Sequence, residues 1–238
     1  MPFDIDVPAP PPLGIAVHGC GPFGQRVSAQ IALSHVGDEL VFVVCDEDDA
    51  ASVAEARQAA ATTGAERVLT MGFIRASSSV VGDNGAIAGR AELLPAVDSL
   101  IVVPGAPEVA AEQMVQAIRH MVHICTVTEQ IGIDLADLRT LFGGGHGGIG
   151  AMAAVETAGP GRVAYAVRSA LDALDFDQRR PTSVLFVVGY EEKLGIVEFK
   201  AALEQPEFAE SNDLELIFGM ARESLTPGAV RVTMIATS

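Results

Sequence analysis

Lysine is scarce in this chain. Two of its fifteen basic residues are lysines, Lys193 and Lys200, against thirty-one acids and a net charge of −16. A field of that sign repels nucleic acid and anionic membranes, so neither is expected as a partner, and no direct membrane binding is expected. Cysteine is scarce too. Cys20, Cys45 and Cys125 cannot pair completely, which points to a reducing compartment, and each reads as a small buried hydrophobe. No apolar run approaches the ~18 residues a membrane span needs. The stretch Met1–Pro12 is acidic and proline-rich rather than basic and then apolar, so no signal peptide is read there. A soluble, cytoplasmic protein is the expectation. What the chain has in quantity is apolar residues, 49% of 238, enough to bury a sizeable core in one large domain or two small ones. Many acids, few lysines and abundant alanine, glycine and valine also match adaptation to high salt.

Met1–Leu13 carries five prolines and no periodicity and reads as an extended arm. A short apolar strand, 14–18, follows. Gly19-Cys20-Gly21-Pro22-Phe23-Gly24 then fits G-x-G-x-x-G, a helix is predicted over 25–34, and a strand over 40–45 ends in Asp46-Glu47-Asp48-Asp49. In a dinucleotide site, glycines let the backbone approach a phosphate and the helix N-terminus supplies N–H donors. An acid about twenty residues on grips a ribose. Candidate cofactor-binding residues are therefore Gly19, Gly21, Gly24, Gln25 and Asp46. The bland alternative is a glycine turn that only packs the first strand against its helix.

Beyond the acids, a helix is predicted over 49–62, a strand over 67–73, a glycine-turn loop over 76–89, a short helix over 90–96 and a strand over 98–103. Alternation at this spacing gives a parallel sheet covered on both faces. The longest helix, 108–126, is apolar on more than one side and belongs between layers. Its His120 and His123, near Cys125, lack a further zinc ligand and read as interfacial, so no metal site is expected. Next comes Gln130–Gly150, with Asp134 and Asp137 in an apolar run and six glycines among Gly143–Gly150. After it, helices are predicted over 159–174 and 194–203 and strands over 183–189, 214–219 and 230–236, the last two read as an antiparallel pair.

IGIDLADLRTLF (131–142) is similar to the synergy loop of FtsZ, of type N-x-D-x-x-D-V-R. LELIFGMARESLTPGAVRVTMIATS (214–238) resembles the closing strands of that family, SVLFVVGYEEKLGIVEFKAAL (183–203) its strand–loop–helix, and VDSLIVVPG (97–105) its V-D-T-L-I-V-I-P-N. The resemblance covers Val97–Ser238, about 60% of the chain. It implies a shortened, divergent member of the tubulin/FtsZ superfamily: a Rossmann-like parallel-sheet domain, a long central helix and a smaller α+β domain. Its divisions would be an arm at 1–13, a shortened nucleotide-binding-like domain at 14–105, the central helix at 106–130, a joint at 131–145 and the C-terminal domain at 146–238. It further implies head-to-tail assembly, in which Asp134 and Asp137 polarise the water attacking a neighbour's GTP. Two carboxylates three apart can orient water and hold a counter-ion near a phosphate. The partner would be a further copy or another FtsZ-family subunit, and the cofactor GTP or GDP.

Several family features are missing. The loop asparagine is Gly132, the G-G-G-T-G-[ST]-G signature is replaced by Asp46–Asp49, Ala76-Ser77-Ser78-Ser79 offers no ribose or phosphate contact, and Ala111 stands where guanine meets an aspartate. Carboxylates repel a triphosphate that glycine amides would attract. The run Gly143–Gly150 reads as an entry to the second domain, because a phosphate loop must join a strand to a helix. The family's tail after the core is absent from the sequence, so membrane tethering by that route is not expected. The leading expectation is an FtsZ-like cytoskeletal, cell-division-related protein with a degenerate GTP pocket and weak or lost GTPase activity. It would act by assembly, as a filament regulator, or in trans on a partner's GTP. The alternative is an NAD(P)-binding Rossmann oxidoreductase, which accounts for the glycine loop and Asp46 but not for the C-terminal half. The charge pattern makes one prediction: the melting temperature rises with added potassium chloride, and full stability without added salt overturns the high-salt reading.

Overall fold

The computed structural model describes residues 13–33, 36–63, 68–77, 88–127, 133–143, 148–175, 180–192, 194–210 and 213–238. Most of the predicted loop over 76–89, together with Gly132 and 144–147, lies outside them. The described chain runs β1 (Ile15–Gly19), α1 (Gly21–Ser28), β2 (Leu40–Asp46), α2 (Ala50–Thr62), β3 (Leu69–Ala76), α3 (Ala88–Leu93), β4 (Ser99–Pro104) and α4 (Pro107–Thr126). It continues through α5 (Leu135–Phe142), β5 (Ile149–Ala158), α6 (Arg162–Ala173), β6 (Ser183–Tyr190), α7 (Ile196–Leu203), α8 (Pro206–Glu210), β7 (Glu215–Arg222) and β8 (Ala229–Thr237).

All eight strands join one sheet, in the order β1-β2-β3-β4-β5-β8-β6-β7. Only β8 runs against its neighbours, β5 and β6; the other pairs are parallel. The central strands are unbroken apolar runs, such as LVFVVC in β2, because helices cover both faces. On one face α1, α4 and α5 bury Phe23, Val27, Met114, Ile118, Met121, Leu138 and Phe142 against Phe42, Phe73, Ile101, Leu185 and Ile235. On the other, α2 and α3 cover β1–β4 through Val53, Ala56 and Leu93, while α6 and α7 cover the strands from β5 on through Val163, Val167, Leu171 and Phe199. Each fully buried large side chain stabilises the fold by roughly 1.5–3 kcal/mol. α4 packs on α1, β3 and β4 at one side and on β7 and β8 at the other, so its apolar residues at 110, 111, 114, 115, 118, 121 and 124 are all buried.

Two expectations change. The helix predicted over 25–34 spans Gly21–Ser28, because Pro22 suits a first turn and Cys20 already holds extended N-cap angles. The last two strands run in opposite directions but do not pair, since β6 lies between them.

The steps from β1 to β2 and from β2 to β3 move the same way across the sheet, yet α1 and α2 cover opposite faces. The two crossovers therefore have opposite hands, and one departs from the right-handed rule. Chains that leave adjacent strands toward opposite faces part at the carboxyl ends and open a crevice there. The glycine turn sits in that crevice, and its spacing is steric. A Cβ on Gly24 would stand 2.2 Å from the Val44 carbonyl oxygen, and one on Gly19 2.2 Å from the Gly24 oxygen. Gly24→Ala should therefore lift α1 and lower stability by about 1–3 kcal/mol in chemical denaturation. Unchanged stability would mean that α1 is not held by this close approach.

Candidate functional site: a crevice closed by its own side chains

The crevice begins where the Cys20 amide donates to Val44 O at 2.8 Å and α1 starts. Gly21 has φ +63°, a left-handed conformation that suits glycine, and its N–H is one of the helix's orphan donors. In an anion site such a donor points at the ligand. Here it donates to Glu55 Oε2 of α2 at 2.9 Å. Ser52, fully buried, closes the gap beside it: its hydroxyl donates to Cys20 O at 2.8 Å and accepts from the Asp46 amide at 3.2 Å. A Cβ on Gly21 would meet the Ser52 side chain at 2.8 Å and the Asp49 carboxylate at 3.1 Å. Burial, with the negative charge of Glu55 adding to it, pushes the Cys20 thiol up to about 11, and burial raises Cys45 further. Neither is a poised nucleophile.

Each carboxylate of the acidic run is engaged within the chain. Arg75, at the end of β3, donates from Nε to Asp46 Oδ2 at 2.8 Å, from Nη2 to Asp48, and from Nη1 to Gly105 O at 3.2 Å. Asp46 Oδ1 accepts from the Asp48 amide at 3.1 Å, so both oxygens of the predicted ribose ligand are engaged within the chain. Glu47 pairs with the buried Arg90 of α3 at 2.9 Å. Asp49 is the N-cap of α2, accepting from the amides of Ala51 and Ser52. Gln25 is exposed, and its backbone carbonyl accepts from the Ala29 amide and the Ser28 hydroxyl.

Asp134 and Asp137 form a reciprocal capping box at the start of α5. The Asp137 amide donates to Asp134 Oδ1 at 3.0 Å and the Asp134 amide to Asp137 Oδ2 at 3.0 Å. One oxygen of each carboxylate lies outside the box. Burial, then the charges of these two aspartates, pushes the nearby Cys125 thiol up to about 12. Asp134 lies at the far end of the molecule from the glycine turn. Ile133 bonds back to Ile124 at the end of α4, and Phe142 O accepts from Ser99 at the start of β4, whereas Gly105 follows that strand's other end. The structure thus gathers Gly19, Gly21, Gly24 and Asp46 and sets Asp134 and Asp137 apart, with the roughly 30 Å length of α4 running between the two places.

Sequence reasoning missed Ser52, Glu55, Arg75 and Arg90. The signals were an arginine ending an apolar strand and polar residues on the first two turns of an alanine-rich helix. Among the described residues no group of three or more His, Cys, Asp or Glu is placed to hold a metal ion. No described helix is long and apolar enough to cross a membrane. Arg75→Leu strands a carboxylate on Asp46, whose side chain is 15% exposed beside the 9% exposed arginine, and should cost about 3 kcal/mol in urea unfolding. Arg75→Leu/Asp46→Leu should recover part of that loss, and additive losses would mean the pair is not coupled.

No family model matches the chain. It is 26% identical over 223 residues to cell division protein FtsZ 1 of Archaeoglobus fulgidus, which covers 84% of this chain and 59% of that protein. The chain therefore spans less than two thirds of the length of this curated relative. An empty FtsZ dimer from M. jannaschii superposes with TM-score 0.73 at 18% identity, over 94% of this chain and 88% of that one. A GTPγS-bound protofilament of CetZ2 from Haloferax volcanii gives TM-score 0.55 at 13% identity, over 89% and 68%. The chain thus has the fold of the FtsZ and CetZ proteins and is similar in sequence to an archaeal FtsZ.

Proposed function

We propose that the protein is an FtsZ-like cytoskeletal subunit that joins a complete FtsZ-family partner head to tail, as a cap or regulator, and does not turn over GTP of its own. One observation carries this reading: the Gly21 amide, where a phosphate would bind, is taken by Glu55, with Ser52 bridging the two strands beneath it. The charges point the same way. Five carboxylates, Asp46 to Asp49 and Glu55, surround the crevice with two arginines, Arg75 and Arg90, a balance of −3. A triphosphate entering without cations would be repelled.

At the other end the oxygens of Asp134 and Asp137 that lie outside the capping box suit a neighbour that brings a nucleotide and a cation. They do not suit a second copy of this chain, whose crevice is itself acidic; like charges in a contact disfavour that pairing. A contact that cannot repeat ends a filament rather than extending it. The relatives described as a dimer and a protofilament are the assemblies this reading draws on. The NAD(P) oxidoreductase alternative draws nothing from relatives that are FtsZ and CetZ proteins, and Asp46, its ribose ligand, is held by Arg75.

Two measurements test the proposal. Titration of the pure protein with GTP, GDP, NADH and NADPH is expected to give no binding, and GTP turnover at the rate of an ordinary FtsZ would overturn it. Added to an FtsZ that has the full glycine-rich phosphate loop, the protein should change that partner's GTP hydrolysis. Asp134→Asn keeps the N-cap while removing the charge, so it should abolish that effect without unfolding; an undiminished effect would remove Asp134 from the mechanism.

A further inference from the structure

His120 stands in the middle of α4, is 3% exposed, and makes two polar contacts with segments more than a hundred residues away. Its Nε2 lies 3.0 Å from Glu223 Oε1, just past β7, and its Nδ1 lies 2.8 Å from Thr233 Oγ1 on β8. A carboxylate can only accept, so Nε2 carries the hydrogen; in the neutral imidazole Nδ1 then accepts from the Thr233 hydroxyl, and in the imidazolium it donates to it. The network continues outward. Glu223 Oε2 accepts from Arg231 Nη1 at 2.7 Å, and Arg231 Nη2 donates to Glu156 on β5 at 2.7 Å. One turn along α4, His123 Nε2 accepts from the Arg222 amide at 3.3 Å, so two histidines grip the same end of β7.

The sheet makes room for this arrangement at one position. A Cβ on Gly189 of β6 would stand 1.7 Å from Glu223 Oε1 and 3.1 Å from His120 Nε2. Glycine there lets the carboxylate lie across the strand and reach the imidazole. The elements involved are α4, β5, β6, the end of β7 and β8, so the network joins the central helix to the C-terminal strands.

We propose that His120, Glu223 and Thr233 form a latch that makes separation of α4 from the C-terminal strands an all-or-none event. The physical reason is the cost of half-opening. If α4 shifts by less than a full separation, the imidazole and Glu223 lose each other while still shielded from water, and a buried unpaired polar group is costly. Intermediate positions are therefore disfavoured against the closed and the fully opened arrangements. His120 is a positioning residue here, and the latch stands on this geometry alone, whatever the partner of the crevice or of α5.

Hydrogen exchange of the full chain tests it, comparing peptides from α4 with peptides from β7 and β8. In the parent the two regions should exchange through one common opening. His120→Leu should lower protection in both by roughly tenfold or more and uncouple their rates. His120→Gln, whose amide can donate to Glu223 and accept from Thr233, should restore common exchange to within about threefold of the parent. Gly189→Ala, which keeps the imidazole in the chain but displaces Glu223 and crowds Nε2, should behave like His120→Leu. If His120→Leu does not fold, Glu223→Leu, which removes the acceptor that faces Nε2, is read in its place. Parent-like coupled exchange in Gly189→Ala together with His120→Leu or Glu223→Leu would reduce the network to ordinary packing. Failure of His120→Gln to improve on leucine would do the same.

Discussion

The guanidinium of Arg75 ties together the ends of three parallel strands. It belongs to β3, takes the carboxylate that closes β2, and donates to the carbonyl of Gly105 just after β4. A buried ion pair stabilises only when its remaining donors and acceptors are also satisfied. Here they are, because Asp46 Oδ1 holds the Asp48 amide and Asp48 takes a further arginine nitrogen. The same set of bonds lies at the mouth of the crevice beside the glycine turn. Holding the strand ends together and closing the crevice are one physical event, with Ser52 and Glu55 completing it from α2.

The second constraint is α4. It lies under both halves of one continuous sheet and separates two acidic places by its own length. Each of those places is internally satisfied: the crevice by arginines and a helix N-cap, the start of α5 by a capping box. Neither needs a ligand to be stable. The surplus negative charge that remains is long-range and falls away over a Debye length of about 8 Å at physiological salt.

On the C-terminal side, α4 is held by polar as well as apolar contacts. His120 lies buried between the helix and the strands, and Gly189 exists as a glycine because Glu223 must pass over it. Elsewhere in that half Arg162 spans Glu198 and the Gly228 carbonyl, tying the start of α6 to α7 and to the turn before β8. Arginine in these positions supplies several fixed donors at once, which lysine cannot.

Periodicity and local chemistry were enough to read the alternation of strands and helices and the long buried helix. These depend on residues near one another in sequence, where an apolar run or an acid before a helix carries its meaning alone. The interfacial character of His120 was also legible from its place on a helix apolar on several sides. The partners were not. That Glu55 would reach back to Gly21, that Arg75 would neutralise Asp46, and that Asp134 and Asp137 would cap each other's backbone are facts of which strands neighbour which and which face each helix covers. The glycine motif could be read as a phosphate loop or a packing turn from residues alone. Only the tertiary structure, by placing the carboxylate of α2 against the Gly21 amide, decided what fills it, because a single helix N-terminus is equally suited to a phosphate and to a side chain that arrives first.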